Sequence, residues 1–67
     1  MKQQVEDAWK KYTAYKETAE QHMFHQLIIF DRMLEPAYRD LQEKWSDTRA
    51  QIFLNGMNIV FKKLGIK

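Results

Sequence analysis

The sequence predicts an all-α protein, and three observations support this fold class. Apolar residues recur at intervals of three and four along the chain, which is the spacing of one face of a helix. The 67 residues include one proline and two glycines, so few positions interrupt a helix. The first half of the chain contains no alternation of apolar and polar residues of the kind that strands require. We therefore expect a single helical domain spanning residues 1–67.

The first helix is predicted from about residue 3 to residue 34. Its apolar positions follow helical steps from Val5 through Tyr12 to Leu34. Residues 18–21 read Thr-Ala-Glu-Gln, which matches a capping box that would start a new helix. The apolar stripe nevertheless keeps its phase through Thr18, so we predict one continuous helix.

Pro36 is the only proline, and it predicts the turn between two helices. Proline disfavours helical backbone in the residue before it and suits the first position of a new helix. The chain would then form a two-helix antiparallel hairpin turning at Pro36, with a second helix over about residues 36–64. Gly65 followed by Ile66 predicts a left-handed helix end. The alternative is a three-helix bundle with an extra break at Ser46–Thr48, whose side chains compete for backbone hydrogen bonds.

Two segments carry more apolar residues than a surface helix needs. Eight of the twelve residues in 23–34 are apolar, and so are eight of the thirteen residues in 52–64. A hairpin turning at Pro36 would set each of these segments against a polar one and leave apolar surface exposed at opposite ends. We therefore predict that two hairpins form a homodimeric four-helix bundle. The predicted interface or shared core consists of Phe24, Leu27, Ile28, Phe30, Phe53, Met57, Val60 and Phe61.

The pattern predicts a small non-enzymatic protein–protein interaction module with a regulatory or structural role, which self-associates or docks a partner helix. No paired carboxylates, activated nucleophile or glycine-rich phosphate loop indicates catalysis, a cofactor or a small-molecule substrate. His22 and His25 stand three residues apart, but no second ligand cluster accompanies them, so we predict no metal site.

The positive charges suggest a second function. The formal net charge is +2, yet residues 48–67 contain Arg49, Lys62, Lys63 and Lys67 without an acidic residue. This basic third predicts nucleic-acid binding as the alternative function, although cations near a helix C-terminus also complement the helix dipole. The longest purely apolar run has four residues, 27–30, against the ~20 needed to cross a bilayer. We expect a cytoplasmic protein without membrane contact.

Overall fold

The computed structural model of the chain describes residues 1–66. Within that range the chain forms three α-helices and no strand: α1 covers Lys2–Thr18, α2 covers Phe24–Glu43 and α3 covers Asp47–Leu64. A single 3₁₀ turn, Gln21–Met23, leads into α2. The all-α prediction is therefore confirmed, and the break near Ser46 given as the alternative is present.

The three helices run up, down and up. The ring of Trp9 in α1 stacks on Tyr38 in α2 at 4.4 Å between centroids, and Tyr12 further along α1 contacts Asp31 earlier in α2. These two pairs make α1 and α2 antiparallel. The short connection at residues 44–46 returns α3 alongside α1, where Phe53 lies 6.4 Å from Trp9.

α3 supplies half of the hydrophobic core because it packs against both other helices. This double contact explains why residues 52–64 are so rich in apolar side chains: a helix with two neighbours needs a wider apolar arc than one lying on a single partner. The buried core consists of Val5, Tyr12, Leu27, Leu34, Leu41, Ala50, Phe53, Met57, Val60 and Phe61.

The predicted turn at Pro36 is wrong, because Pro36 lies inside α2. Leu27, Leu34 and Leu41 recur every seven residues on one face of α2 and are all buried, so a turn at residue 36 would remove Leu41 from the core. Pro36 itself is exposed on the opposite face. The carbonyl that loses its hydrogen bond to the missing N–H therefore faces water rather than the core. Without a turn at Pro36 there is no two-helix hairpin, so the structure does not support the predicted four-helix bundle of two such hairpins.

The predicted continuous helix over residues 3–34 is also wrong, because α1 ends at Thr18. Ala19 and Glu20 are extended, with ψ of 143° and 155°. The break falls at the capping-box sequence, but no side-chain capping hydrogen bond forms there. A straight helix would carry Tyr12 away from α2, whereas the break folds α1 back so that Tyr12 is completely buried.

Both ends of α3 follow local sequence signals. Ser46 is the N-cap, and its hydroxyl accepts a hydrogen bond from the N–H of Arg49 at 3.3 Å. Gly65 has a φ of 75°, and the N–H of Ile66 donates to the carbonyl of Phe61 at 2.9 Å. This geometry is a Schellman motif, so the helix end predicted at Gly65 is confirmed.

Candidate interaction surface

Most of the predicted interface residues belong to the core of the single chain. Phe30 is partly buried against that core, and only Phe24 and Ile28 remain about half exposed, at 48% and 51%. Buried side chains already engaged within the chain offer no surface to a partner in this fold. The five that are buried are Leu27, Phe53, Met57, Val60 and Phe61.

A different set of apolar side chains is exposed along α2 and α3. Ile29 and Met33 stand one turn apart on α2, with 50% and 61% of their surface accessible. Ile52 and Ile59 stand two turns apart on α3, with 65% and 57% accessible. We call these four residues the α2–α3 apolar face.

The rows on α2 and α3 both lead to one groove. Ala37 continues the row of Ile29 and Met33 by one further helical turn, and it lines a groove of about 300 Å³ together with Ile52 and Phe53. Because one row reaches this groove from α2 and the other from α3, both rows lie on the same side of the bundle. The face is therefore one surface, with a recess between its two helices.

Opposite charges border the same groove on its two sides. Asp40 extends from α2 and Arg49 from α3, and both line the recess beside Ile52. In the described part of the chain these two side chains form no ion pair. Each of them is therefore available to a group outside the chain.

Gly56 lies in the middle of the apolar row of α3, between Ile52 and Ile59. Glycine inside a helix is less favourable than alanine by about 1 kcal/mol, so an internal glycine calls for a reason. A Cβ at this position would meet no side chain or neighbouring helix of residues 1–66 within 4 Å. The packing of the described chain does not require glycine here, and the missing side chain leaves the α3 backbone open to approach from outside.

A polar cluster joins α1 to α2 on the other side of the bundle. The buried Tyr12 hydroxyl donates a hydrogen bond to Oδ1 of Asp31 at 2.5 Å, and the ammonium group of Lys16 lies 2.9 Å from Oδ2. Burial, with further contributions from the hydrogen bond and the charge of Asp31, raises the pKa of Tyr12 well above its ordinary value. The Tyr12 side chain is therefore neutral, and the hydrogen bond that it donates to Asp31 links α1 to α2.

The basic residues proposed as nucleic-acid contacts are spread along α3. Arg49 is in its first turn, whereas Lys62 and Lys63 are in its last turn. Arg49 and Lys62 are thirteen positions apart on the helix, which is roughly 20 Å. Lys67 lies outside the described residues. Lys62 and Lys63 are located where a cation complements the C-terminal end of the helix dipole.

The histidines lie at the junction between α1 and α2. Nδ1 of the exposed His22 is 3.3 Å from a carboxylate oxygen of the equally exposed Glu20, and His25 follows in the first turn of α2. Among residues 1–66, no group of three or more His, Cys, Asp or Glu side chains is arranged to hold a metal ion.

Comparison with known proteins provides no functional assignment. No protein family, no curated protein and no solved structure matches this chain. Within residues 1–66, none of the helices combines the length and apolar content needed to cross a bilayer. The function is therefore inferred from the surface of the chain itself.

Proposed function

We propose that this protein is a small non-enzymatic interaction module that binds a helical protein surface through its α2–α3 apolar face. Its role would be regulatory or structural, exerted by occupying the surface of the partner. The observation that carries the proposal is the exposure of two apolar rows on one side of a chain that already has a buried core.

Scattered exposed apolar residues are normal and need no explanation, but these are not scattered. Ile29 and Met33 follow one helix, and Ile52 and Ile59 follow its neighbour. An apolar row on a helix, presented beside a groove, is the surface that an amphipathic helix recognises. Gly56 supports the same function, since a residue without a side chain allows a partner to approach the backbone closely.

Site-specific photo-crosslinking tests this function. A benzoylphenylalanine at position 59 should form a crosslink to a helical protein or to another copy of the chain, and excess wild-type protein should compete with it. The same probe at Gln51, an exposed polar position on α3, is the matched control. Crosslinking at position 59 that is no stronger than at position 51, or that the wild type does not compete, would contradict the proposal.

Nucleic-acid binding is the second candidate, and one contact favours it. The ammonium group of Lys11 lies 5.0 Å over the ring of Phe61, which brings a further cation to the end of α3 that carries Lys62 and Lys63. Fluorescence anisotropy with DNA and RNA at about 50 mM salt tests it, because phosphate contacts are strongest at low salt. Binding should disappear in Lys62→Glu/Lys63→Glu and persist in the control Lys44→Glu, and absence of binding in the wild type would refute it.

A further inference from the structure

We infer that the partner of the α2–α3 apolar face is a second copy of this chain. The two faces pack together about a two-fold axis that runs along the helices, so that α2 of each protomer lies on α3 of the other. This inference rests on the proposed function and names its partner. It concerns a surface that differs from the largely buried set predicted from the sequence.

The first argument is that the face carries both a projection and a recess. A two-fold interface is self-complementary, so each copy must present both halves of every contact. Ile52 is the most exposed residue of the face, at 65%, and it stands at the groove beside Ala37 and Phe53. Rotation about an axis parallel to the helices does not move a residue along them, so Ile52 of one copy stays at the same height as the groove of the other. This rotation therefore seats the Ile52 side chain of each copy in the groove of the other.

The second argument is charge, and it also selects the direction of the axis. With the axis along the helices, Asp40 of each copy faces Arg49 of the other, which supplies the ion pair that neither makes within its own described chain. The alternative is an axis across the helices that brings the two α3 helices together at Gly56. Arg49 and Lys63 stand seven residues on either side of Gly56, so that arrangement would oppose two cations.

The third argument is the position of Gly56. Tyr38 and Phe53 lie at one level of the antiparallel α2–α3 pair, with ring centroids 6.0 Å apart. Met33 is five residues before Tyr38 and Gly56 is three residues after Phe53, so the two lie within about 3 Å of the same level. The proposed axis places Met33 of one copy over Gly56 of the other. Because glycine has no side chain, it leaves room there for the side chain of Met33.

Sedimentation equilibrium of the full chain, from low micromolar concentration to about 1 mM, measures the assembly directly. The wild type should show a reversible monomer–dimer equilibrium, and Ile52→Glu should raise the dissociation constant at least about tenfold. Ile28→Glu is the matched control, because Ile28 is about as exposed but lies on the opposite flank of α2, beside Asp31 and Glu35. Circular dichroism should show that both variants remain helical.

A charge exchange distinguishes contacts between chains from contacts within a chain. Asp40→Arg and Arg49→Asp should each dimerise less well than the wild type. An equimolar mixture of the two should form a heterodimer, because position 40 of each variant then meets an opposite charge at position 49 of the other.

Three results would overturn the inference. The first is a wild type that stays monomeric up to about 1 mM, and the second is a dimer that Ile28→Glu disrupts while Ile52→Glu does not. The third is an Arg49→Asp variant that dimerises more tightly, as the axis across the helices predicts. A monomer whose position 59 still crosslinks to a different protein would end this inference and leave the proposed function standing.

Discussion

Replacing Tyr12 by phenylalanine removes one hydroxyl from the junction of α1 and α2, and the contacts of that hydroxyl indicate the size of the effect on stability. A hydrogen bond to a charged group contributes about 1.5–3 kcal/mol. Asp31 keeps its contact with Lys16 and has 27% of its side chain exposed, so water can replace part of the lost bond. The aromatic ring remains and no cavity forms. We expect Tyr12→Phe to lower the free energy of unfolding by about 1–2 kcal/mol at neutral pH.

The same substitution should change how stability depends on alkaline pH. An unfolded tyrosine loses its proton near pH 10, whereas burial and the adjacent Asp31 raise the pKa of Tyr12 in the folded chain. The contribution of this group is therefore complete below about pH 10. Above about pH 10 the unfolded state releases the Tyr12 proton while the folded state still holds it. The free energy of unfolding then falls by about 1.4 kcal/mol per pH unit. The stabilities of the wild type and of Tyr12→Phe should converge near pH 11.

Urea unfolding followed by circular dichroism at pH 7, 9, 10 and 11 measures both effects. Tyr15→Phe is the matched control: it removes a hydroxyl one turn along the same helix, from a side chain that is only partly buried. This variant keeps Tyr12, so it should also keep the alkaline loss of stability that Tyr12→Phe lacks. A Tyr12→Phe difference below about 0.3 kcal/mol at neutral pH, or one that stays constant from pH 7 to pH 11, would refute the role assigned to this hydroxyl.

Three further substitutions test the fold by urea unfolding. Pro36→Ala restores a backbone donor in the middle of α2 and should raise the free energy of unfolding by about 1–3 kcal/mol; a loss of stability would argue for a turn there. Ser46→Ala removes the N-cap of α3 and should lower the free energy of unfolding by about 1 kcal/mol. Thr48→Ala, two residues later in the first turn of α3, should lower it less. Gly56→Ala should stabilise the monomer by about 0.5–1 kcal/mol while weakening self-association in sedimentation, and destabilisation would show that the described packing does require glycine.

The sequence contained the signal for continuity through Pro36. Leu27, Leu34 and Leu41 stand at intervals of seven, and this heptad spacing crosses the proline without a change of phase. The local rule for proline predicts a break, since proline removes one helical hydrogen bond. The loss is small because the carbonyl left without a partner faces water. The burial of Leu41 in the core outweighs it. Longer-range periodicity was the better guide here.

The end of α1 could not be predicted from the phase of its apolar residues. The stripe continues through Thr18 as if the helix did, and the capping-box sequence forms no side-chain cap. The break exists because it lets Val5 and Tyr12 reach the other helices and become buried. Its cause is thus a contact between residues far apart in the chain.

The exposed apolar residues of α2 and α3 lie in the two segments that the sequence indicated, but most of them are not the residues predicted for the interface. The sequence indicated surplus apolar surface in segments 23–34 and 52–64, and both segments do contribute exposed apolar residues. Phe53, Met57 and Phe61 are nevertheless buried in the core, because α3 packs against both α1 and α2. The remaining surface is Ile29, Met33, Ile52 and Ile59, and no rule of composition separates these from the buried set.

The sequence by itself determined the helical class and the C-terminal end of α3, and it offered the start of α3 near Ser46 as an alternative, because these features depend on hydrogen bonds between residues a few positions apart. Ser46 caps its own helix, and Gly65 adopts its left-handed conformation through local geometry. The tertiary structure decided the ends of α1 and α2, the membership of the core and the pairing of Tyr12 with Asp31. Each of these depends on which distant side chains exclude water together, and apolar burial is not directional, so local sequence does not specify its partners.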